Sequence, residues 1–243
     1  MAGKRDSHPR SVWLTSKPAR KRRESESAAG AGNLDREKII ATAVRLLDAK
    51  GEAQFSMRLL AAELNVTPMS LYWYVSNKDD LLELALDSVI GEIRLPKINV
   101  RSDWRKDLRA LAGAWRHTLV AHPWAIRCYG EYLNIGPQSM GFTQRSQEVM
   151  ARSSLSKEDQ LVALSAVFQY VYGFASTESR WLEYGRKTGS TVDEFVAEVA
   201  ASVSGIPGAQ GGLLERRSTQ TMKELRDRDF DRALDWLIAG MLA

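Results

Sequence analysis

The chain is poor in the residues that build covalent and metal frameworks: one cysteine, three histidines and seven prolines in 243 residues. A single Cys128 excludes an intramolecular disulfide network and any multi-cysteine zinc site, and reads most simply as a small buried apolar residue. His8, His117 and His122 are scattered rather than spaced as ligands, so no metal is expected. Long hydrophobic runs are missing too. Nothing approaches the roughly 20 apolar residues of a membrane span, and MAGKRDSHPR lacks the apolar stretch that follows the charges of a secretory signal. A cytoplasmic protein with no membrane partner is the expectation. Also absent are a phosphate-binding glycine loop, a nucleophile elbow and a metal-ligand pair at helical spacing, and Cys128 has no evident histidine partner. Those absences argue against an enzyme and against a cofactor.

What is present is enough apolar material, 44% of residues, for a large core. The formal charge of +4 is unevenly placed. Residues 1–34 hold eight Lys/Arg (Lys4, Arg5, Arg10, Lys17, Arg20, Lys21, Arg22, Arg23) against Asp6, Glu24 and Glu26, a net +5, so the remainder is −1. With its Ser, Ala and Gly content, this segment reads as a disordered basic tail ending in the linker SAAGAGN. Such a tail suits either an arm lying along DNA or a solubilising extension. Both readings stand.

Past the tail the periodicity is helical throughout, which predicts an all-α fold. Ile39, Ile40, Ala43, Leu46 and Leu47 form one amphipathic stripe over 36–50, with Asp35 to cap it and Gly51 to end it. A short helix follows from Ser56 through Leu64, with Leu59, Leu60 and Leu64 inward. After the turn Asn65-Val66-Thr67, Thr67 is an N-cap and Pro68 occupies the first helical position. This third helix is about two turns long, stopped by Ser76-Asn77, and another begins at Lys78. Two helices joined by so tight a turn make a helix-turn-helix, whose second member inserts its N-terminal end in the DNA major groove. Leu71 and Val75 form the inward stripe of that member. Adjacent residues point about 100° apart on a helix, so Tyr72, Trp73 and Tyr74 cannot all be buried with them.

The run 35–93, with LNVTPMSLYWYVSNKDDLLELALD at its heart, closely resembles the DNA-binding domain of the tetracycline-repressor (TetR) family, LYWYVSNKDDLL being its most specific part. A weaker resemblance continues through LRALAGAWRHTLVAHPW, the GPQSMG turn and LVALSAVFQYVYGFAS, in the manner of the tetracycline repressors themselves. After the basic tail at 1–34 that composition gives, the resemblance implies a helix-turn-helix domain at 35–94 and a helical ligand-binding and dimerisation domain at 95–243. It implies base contacts from Arg58, with Ser56 beside it, and from Pro68, Met69 and Ser70 at the start of the recognition helix that Thr67 caps. Arg suits guanine O6 and N7, whereas Pro68 and Met69 offer only apolar contact, for example to a thymine methyl. Tyr72, Trp73 and Tyr74 are implied as backbone-contacting and positioning residues and Lys78 as a phosphate contact. Two features depart from the family pattern. Met57 stands where relatives often carry a hydroxyl, and residues 36–94 carry seven Lys/Arg against nine acids, a net −2. Binding therefore has to rest on the placement of single cations, on helix N-termini and on the tail.

In the second domain Trp104, Leu108, Leu111, Trp115 and Leu119 mark a helix ended by Pro123. From Glu158 to about Tyr184 the apolar residues encircle the cylinder, and so they do again from Phe230 to Leu242, which predicts burial on nearly all sides. Two such helices most economically pair with their copies in a second protomer, through Leu161, Leu164, Phe168, Val171, Phe230, Leu234, Leu237 and Met241. A homodimer on a palindromic operator, released by a small-molecule effector, is the expected mechanism; a ligand-independent regulator, or an activator whose second domain only dimerises, is the alternative. By resemblance, Trp115, Tyr129, Tyr132, Phe168, Gln169, Tyr172 and Trp181 lie on the helices that line the pocket, and Arg127 and His122 could fix a polar ligand. The tetracycline repressors use a magnesium chelate, but no equivalent of their metal-contacting histidine can be placed, so no metal is carried over. The glycine-rich 204–212 suits a pocket entrance or a tolerated insertion.

Overall fold

The computed structural model describes residues 11–14, 34–95, 102–203 and 220–241. The tail, apart from 11–14 and Leu34, the 204–212 loop and Leu242 lie outside them. Among the described residues the chain is helical without strands: α1 (Arg36–Lys50), a 3-10 turn (Glu52–Gln54), α2 (Met57–Glu63), α3 (Pro68–Leu71), α4 (Lys78–Ile90), α5 (Trp104–Ala121), α6 (Pro123–Glu131), α7 (Pro137–Met150), α8 (Lys157–Thr188), α9 (Val192–Val203) and α10 (Met222–Gly240). They fall into two compact units, 1–94 with 121–145, and 95–120 with 146–243.

The first unit is assembled from explicit caps. The Asp35 carboxylate accepts from Lys38 N at 2.7 Å, the Ser56 hydroxyl from Leu59 N at 3.2 Å and the Asn77 amide oxygen from Asp80 N at 2.7 Å, each satisfying a donor that a helix start leaves open. Gly51 ends α1 at φ 74°, and Asn65, at φ 54°, supplies the left-handed residue of the tight turn between α2 and α3. Ile39, Ala43, Leu47, Leu60, Leu71, Leu81 and Ala85 are buried together as the core. α6 packs on α1 and α4 in this unit. Polar contacts help hold it there: Asp48 on α1 accepts from the Trp124 indole at 2.7 Å and meets His122 at 2.8 Å.

The second unit holds α5, the end of α7, α8, α9 and α10. Trp104, Leu108, Leu111, Trp115 and Leu119 are all buried, as their spacing predicts. A charged cluster ties three helices: Arg116 on α5 makes paired hydrogen bonds to Glu178 on α8 (2.8 and 2.9 Å) and an ion pair with Asp227 on α10 (2.8 Å), while its guanidinium lies 4.7 Å from the Phe230 ring centre. Burial alone would depress the Arg116 pKa, but the hydrogen bonds and charges of Glu178 and Asp227 raise it.

Several boundaries differ from the periodicity reading. α3 is one turn rather than two, since Tyr72 and Tyr74 bond carbonyls three residues back and the chain passes into turns. α10 starts eight residues before Phe230, at a capping box in which Thr221 and Glu224 exchange hydrogen bonds; its charged first half, KELRDRD, hid the helix. The GPQSMG turn ends at Gly136, because Pro137 already begins α7.

Candidate nucleic-acid interface

The reading head is built by burying one side of a very short helix. Leu71 and Val75 are in the core, which leaves Met69 (69% exposed), Tyr72 (47%) and Trp73 (76%) outward beside exposed Pro68. Exposed rings and a thioether clustered at a helix start are unfavourable in water unless something covers them. Arg58 and Ser56, at the start of α2, are also exposed, and among the described residues Arg58 makes no ion pair. Met57, by contrast, is buried. Its departure from the family's hydroxyl therefore lies in the core and not on the reading face.

Four of the residues expected to contact DNA make internal hydrogen bonds. The Tyr74 hydroxyl donates to Leu34 O at 2.8 Å and so fixes the start of α1 against the end of the head. Thr67 and Ser70 hydrogen-bond each other at 2.9 Å, and Thr67 accepts from Ser70 N at 3.3 Å. Lys78 is half-exposed, 3.9 Å from the Glu52 carboxylate and donating to Glu52 O at 3.4 Å. Glu52 also lies 3.4 Å from Arg127, so it balances two cations at the edge of the head.

The nine expected ligand contacts do not fall in one unit. His122, Arg127, Tyr129 and Tyr132 belong to the first; Trp115, Phe168, Gln169, Tyr172 and Trp181 to the second. His122 is engaged on both sides, Nδ1 with Asp48 at 2.8 Å and Nε2 with Glu92 at 3.1 Å. Arg127 is on the surface against Glu131, and Tyr132 donates to Asp79 at 3.0 Å. Burial lifts the Tyr132 pKa, and the Asp79 hydrogen bond adds to it. Trp115 is fully buried, Gln169 is exposed, and Trp181 packs against Val196, Met222 and Leu225, with the Arg226 guanidinium 4.9 Å from its ring. Cys128 is buried, and burial pushes its thiol up to about 12, so it stays protonated and unreactive as a small core residue.

The residues expected at a dimer interface separate by exposure. Leu164, Val171, Phe230 and Leu234 are core of the protomer itself, while Phe168, Leu237 and Met241 are half-buried. The reason is the inward stripe of α8, which runs through Ala163, Leu164, Val167, Val171 and Ala175 and already has α10 against it. What the protomer leaves outward is Leu161 (58% exposed), Val162 (63%) and Trp236 (66%). Between α8 and α10 lies a groove of about 780 Å³ lined mainly by Leu155, Val162, Ala166, Trp236, Leu237 and Met241. Sequence reasoning missed the acids of α4. Asp80, Glu83 and Asp87 are buried among the apolar residues of α4, and their spacing along it was the signal.

Two family models match this chain: bacterial regulatory proteins of the tetR family over residues 39–85, and the tetracyclin repressor-like C-terminal domain over 95–243. It is 36% identical over 214 residues to an HTH-type transcriptional regulator of Saccharopolyspora erythraea, covering 86% of this chain and 85% of that one. It is 33% identical over 177 residues to the HTH-type transcriptional repressor DrrR1 of Streptomyces coeruleorubidus, covering 72% of this chain and 64% of the other. Among solved structures, ActR of Streptomyces coelicolor in complex with actinorhodin superposes with a TM-score of 0.69 at 26% identity, over 87% of this chain and 98% of that chain. The exposed reading face on a helix-turn-helix and the long helices of the second unit are those of a transcriptional regulator rather than an enzyme, and the chain belongs to the TetR family.

Proposed function

We propose that this protein is a homodimeric repressor that binds a palindromic operator and is released by a small molecule held in its C-terminal domain. The observation that carries the reading is the outward cluster of Met69, Tyr72 and Trp73 beside exposed Arg58. A protein that held these groups for no partner would expose an apolar patch at a helix start; DNA covers it. Arg58, Pro68, Met69 and Ser70 read bases, Ser56 assists Arg58, Tyr72, Trp73 and Lys78 hold the backbone, and Thr67 and Tyr74 set the geometry of the head.

The second copy supplies the other half-site. Leu161, Val162 and Trp236 flank a groove with small residues Ala163, Ala166, Ala233 and Gly240, so α8 and α10 can approach the same pair in a partner closely. Leu237, Met241 and Phe168 complete this face, whereas Leu164, Val171, Phe230 and Leu234 support it from beneath. Two heads held about 34 to 36 Å apart, one turn of DNA, then read an inverted repeat.

Release follows from linkage. A small molecule with higher affinity for a dimer of different head spacing weakens DNA binding, and DNA weakens its binding by the same factor. The likeness to ActR, solved in complex with actinorhodin, supports a small-molecule effector; in this reading Trp115, Phe168, Tyr172 and Trp181 of the C-terminal domain are its apolar contacts. The test is a thermal-shift screen of small molecules followed by titration of each hit into the protein–operator complex. A compound that raises the melting temperature and lowers operator affinity supports the reading; stabilising compounds that leave DNA affinity unchanged contradict the release mechanism.

A further inference from the structure

Residues 11–14 do not behave as part of a free tail. Ser11–Leu14 forms a single turn closed by Leu14 N to Ser11 O at 3.0 Å. The Ser11 hydroxyl donates to Glu83 on α4 at 2.6 Å, and Val12 N donates to the same oxygen at 3.1 Å. Ser11 and Glu83 are both more than nine-tenths buried. Removing a carboxylate from water is strongly unfavourable unless it is hydrogen-bonded, and the donors described for Glu83 come from this turn.

One helical turn further along α4, Asp87 does a parallel job. Its carboxylate accepts from Ser139 N and Ser139 Oγ, both at 2.9 Å, and from Gln138 N at 3.2 Å, capping α7 from another element. Gly136, just before α7, joins the two sites: a Cβ there would collide with the Asp87 carboxylate and would lie 2.7 Å from the Trp13 ring. The turn at 11–14, the acidic face of α4 and the start of α7 thus meet at one point.

We propose that Ser11–Leu14 is a cis-acting strap seated on the acidic face of α4, and that its docking ties α4 to the N-terminus of α7. Glu83 positions the strap and Trp13 carries the contact to the turn before α7. Neither depends on the repressor reading.

Hydrogen exchange on the full chain, resolved to single amides, tests this directly. In the wild type the Val12 to Leu14 amides exchange at least about tenfold more slowly than an unstructured peptide, as one to two net hydrogen bonds require. In Trp13→Ala those amides become unprotected, and the Gln138 and Ser139 amides exchange several-fold faster, while the α8 amides keep their wild-type rates and report an intact fold. Glu83→Gln, which keeps an acceptor but not the charge, falls between. Unprotected 12–14 amides in the wild type overturn the strap. Loss of their protection in Trp13→Ala with Gln138 and Ser139 unchanged overturns the tie to α7.

Discussion

At the scale of single residues, specificity rests on very few polar groups. Pro68 and Met69 cannot hydrogen-bond a base edge through their side chains, so in the proposed complex Arg58 is expected to carry a large share of the direct readout. Arg58→Ala is expected to cost about 1 to 3 kcal/mol of operator binding and to relax preference at one position, whereas Lys78→Ala weakens all sequences alike and lowers the salt slope by about one unit. Titrations against operator and random DNA at several salt concentrations separate the two; equal loss on both DNAs in the Arg58 variant contradicts a base contact. Lys78 already shares Glu52, so Glu52→Gln is expected to strengthen non-specific binding slightly. His122 makes a different prediction. Burial would lower its pKa, but Asp48 first and then Glu92 raise it above the ordinary value of 6.5. Its charged pairing therefore stabilises the fold fully below the unfolded pKa, and that contribution is lost as pH rises through the raised folded value. Urea unfolding midpoints should decline from pH 6 to pH 8 in the wild type and decline less in His122→Gln; parallel profiles contradict the assignment.

At the scale of the element, the head is held by a single turn of helix. Leu71 is fully buried beneath it, and Leu71→Ala is expected to cost about 2 to 5 kcal/mol in stability, measured by urea unfolding of the purified protein. A loss below 1 kcal/mol would show that α3 is not anchored through this side chain. The elements of this unit were legible in sequence because their starts are written in side chains: Asp35, Ser56, Thr67 and Asn77 each cap the helix that follows. The outward direction of Tyr72 and Trp73 followed from Leu71 and Val75 facing inward. Helix α10 was read short because KELRDRD has the composition of a solvated segment, and its apolar anchors, Met222 and Leu225, are only two. Periodicity alone gave α8 apolar residues on nearly all sides; which of them one chain buries is decided by the packing of α10, which covers Leu164 and leaves Leu161 and Val162 outward. The role of 11–14 was not legible at all. Four residues carry no periodicity, and the partner that orders them, Glu83, lies 72 positions away.

At the scale of the whole molecule, the account needs two protomers. Trp236→Glu places a charge in the middle of the exposed α8–α10 face and is expected to yield monomers at micromolar concentration in sedimentation, with unchanged helical content; a dimer that survives this change puts the interface elsewhere. The same variant should lose operator affinity by far more than any single base contact, because half of the phosphate and base contacts leave with the partner. No helix among the described residues is long and apolar enough to cross a membrane, and the long helices are instead divided between protomer core and the exposed α8–α10 face. The central claim is that a pair of such heads reads one palindromic site. Its most direct test is to incubate the full-length protein with a genomic fragment library at moderate salt and sequence the bound fragments. The account predicts enrichment of an inverted repeat whose half-sites lie about one turn, roughly 10 base pairs, or a multiple of it apart. Recovery of fragments with no common repeat, from a protein that is folded and dimeric, would contradict it.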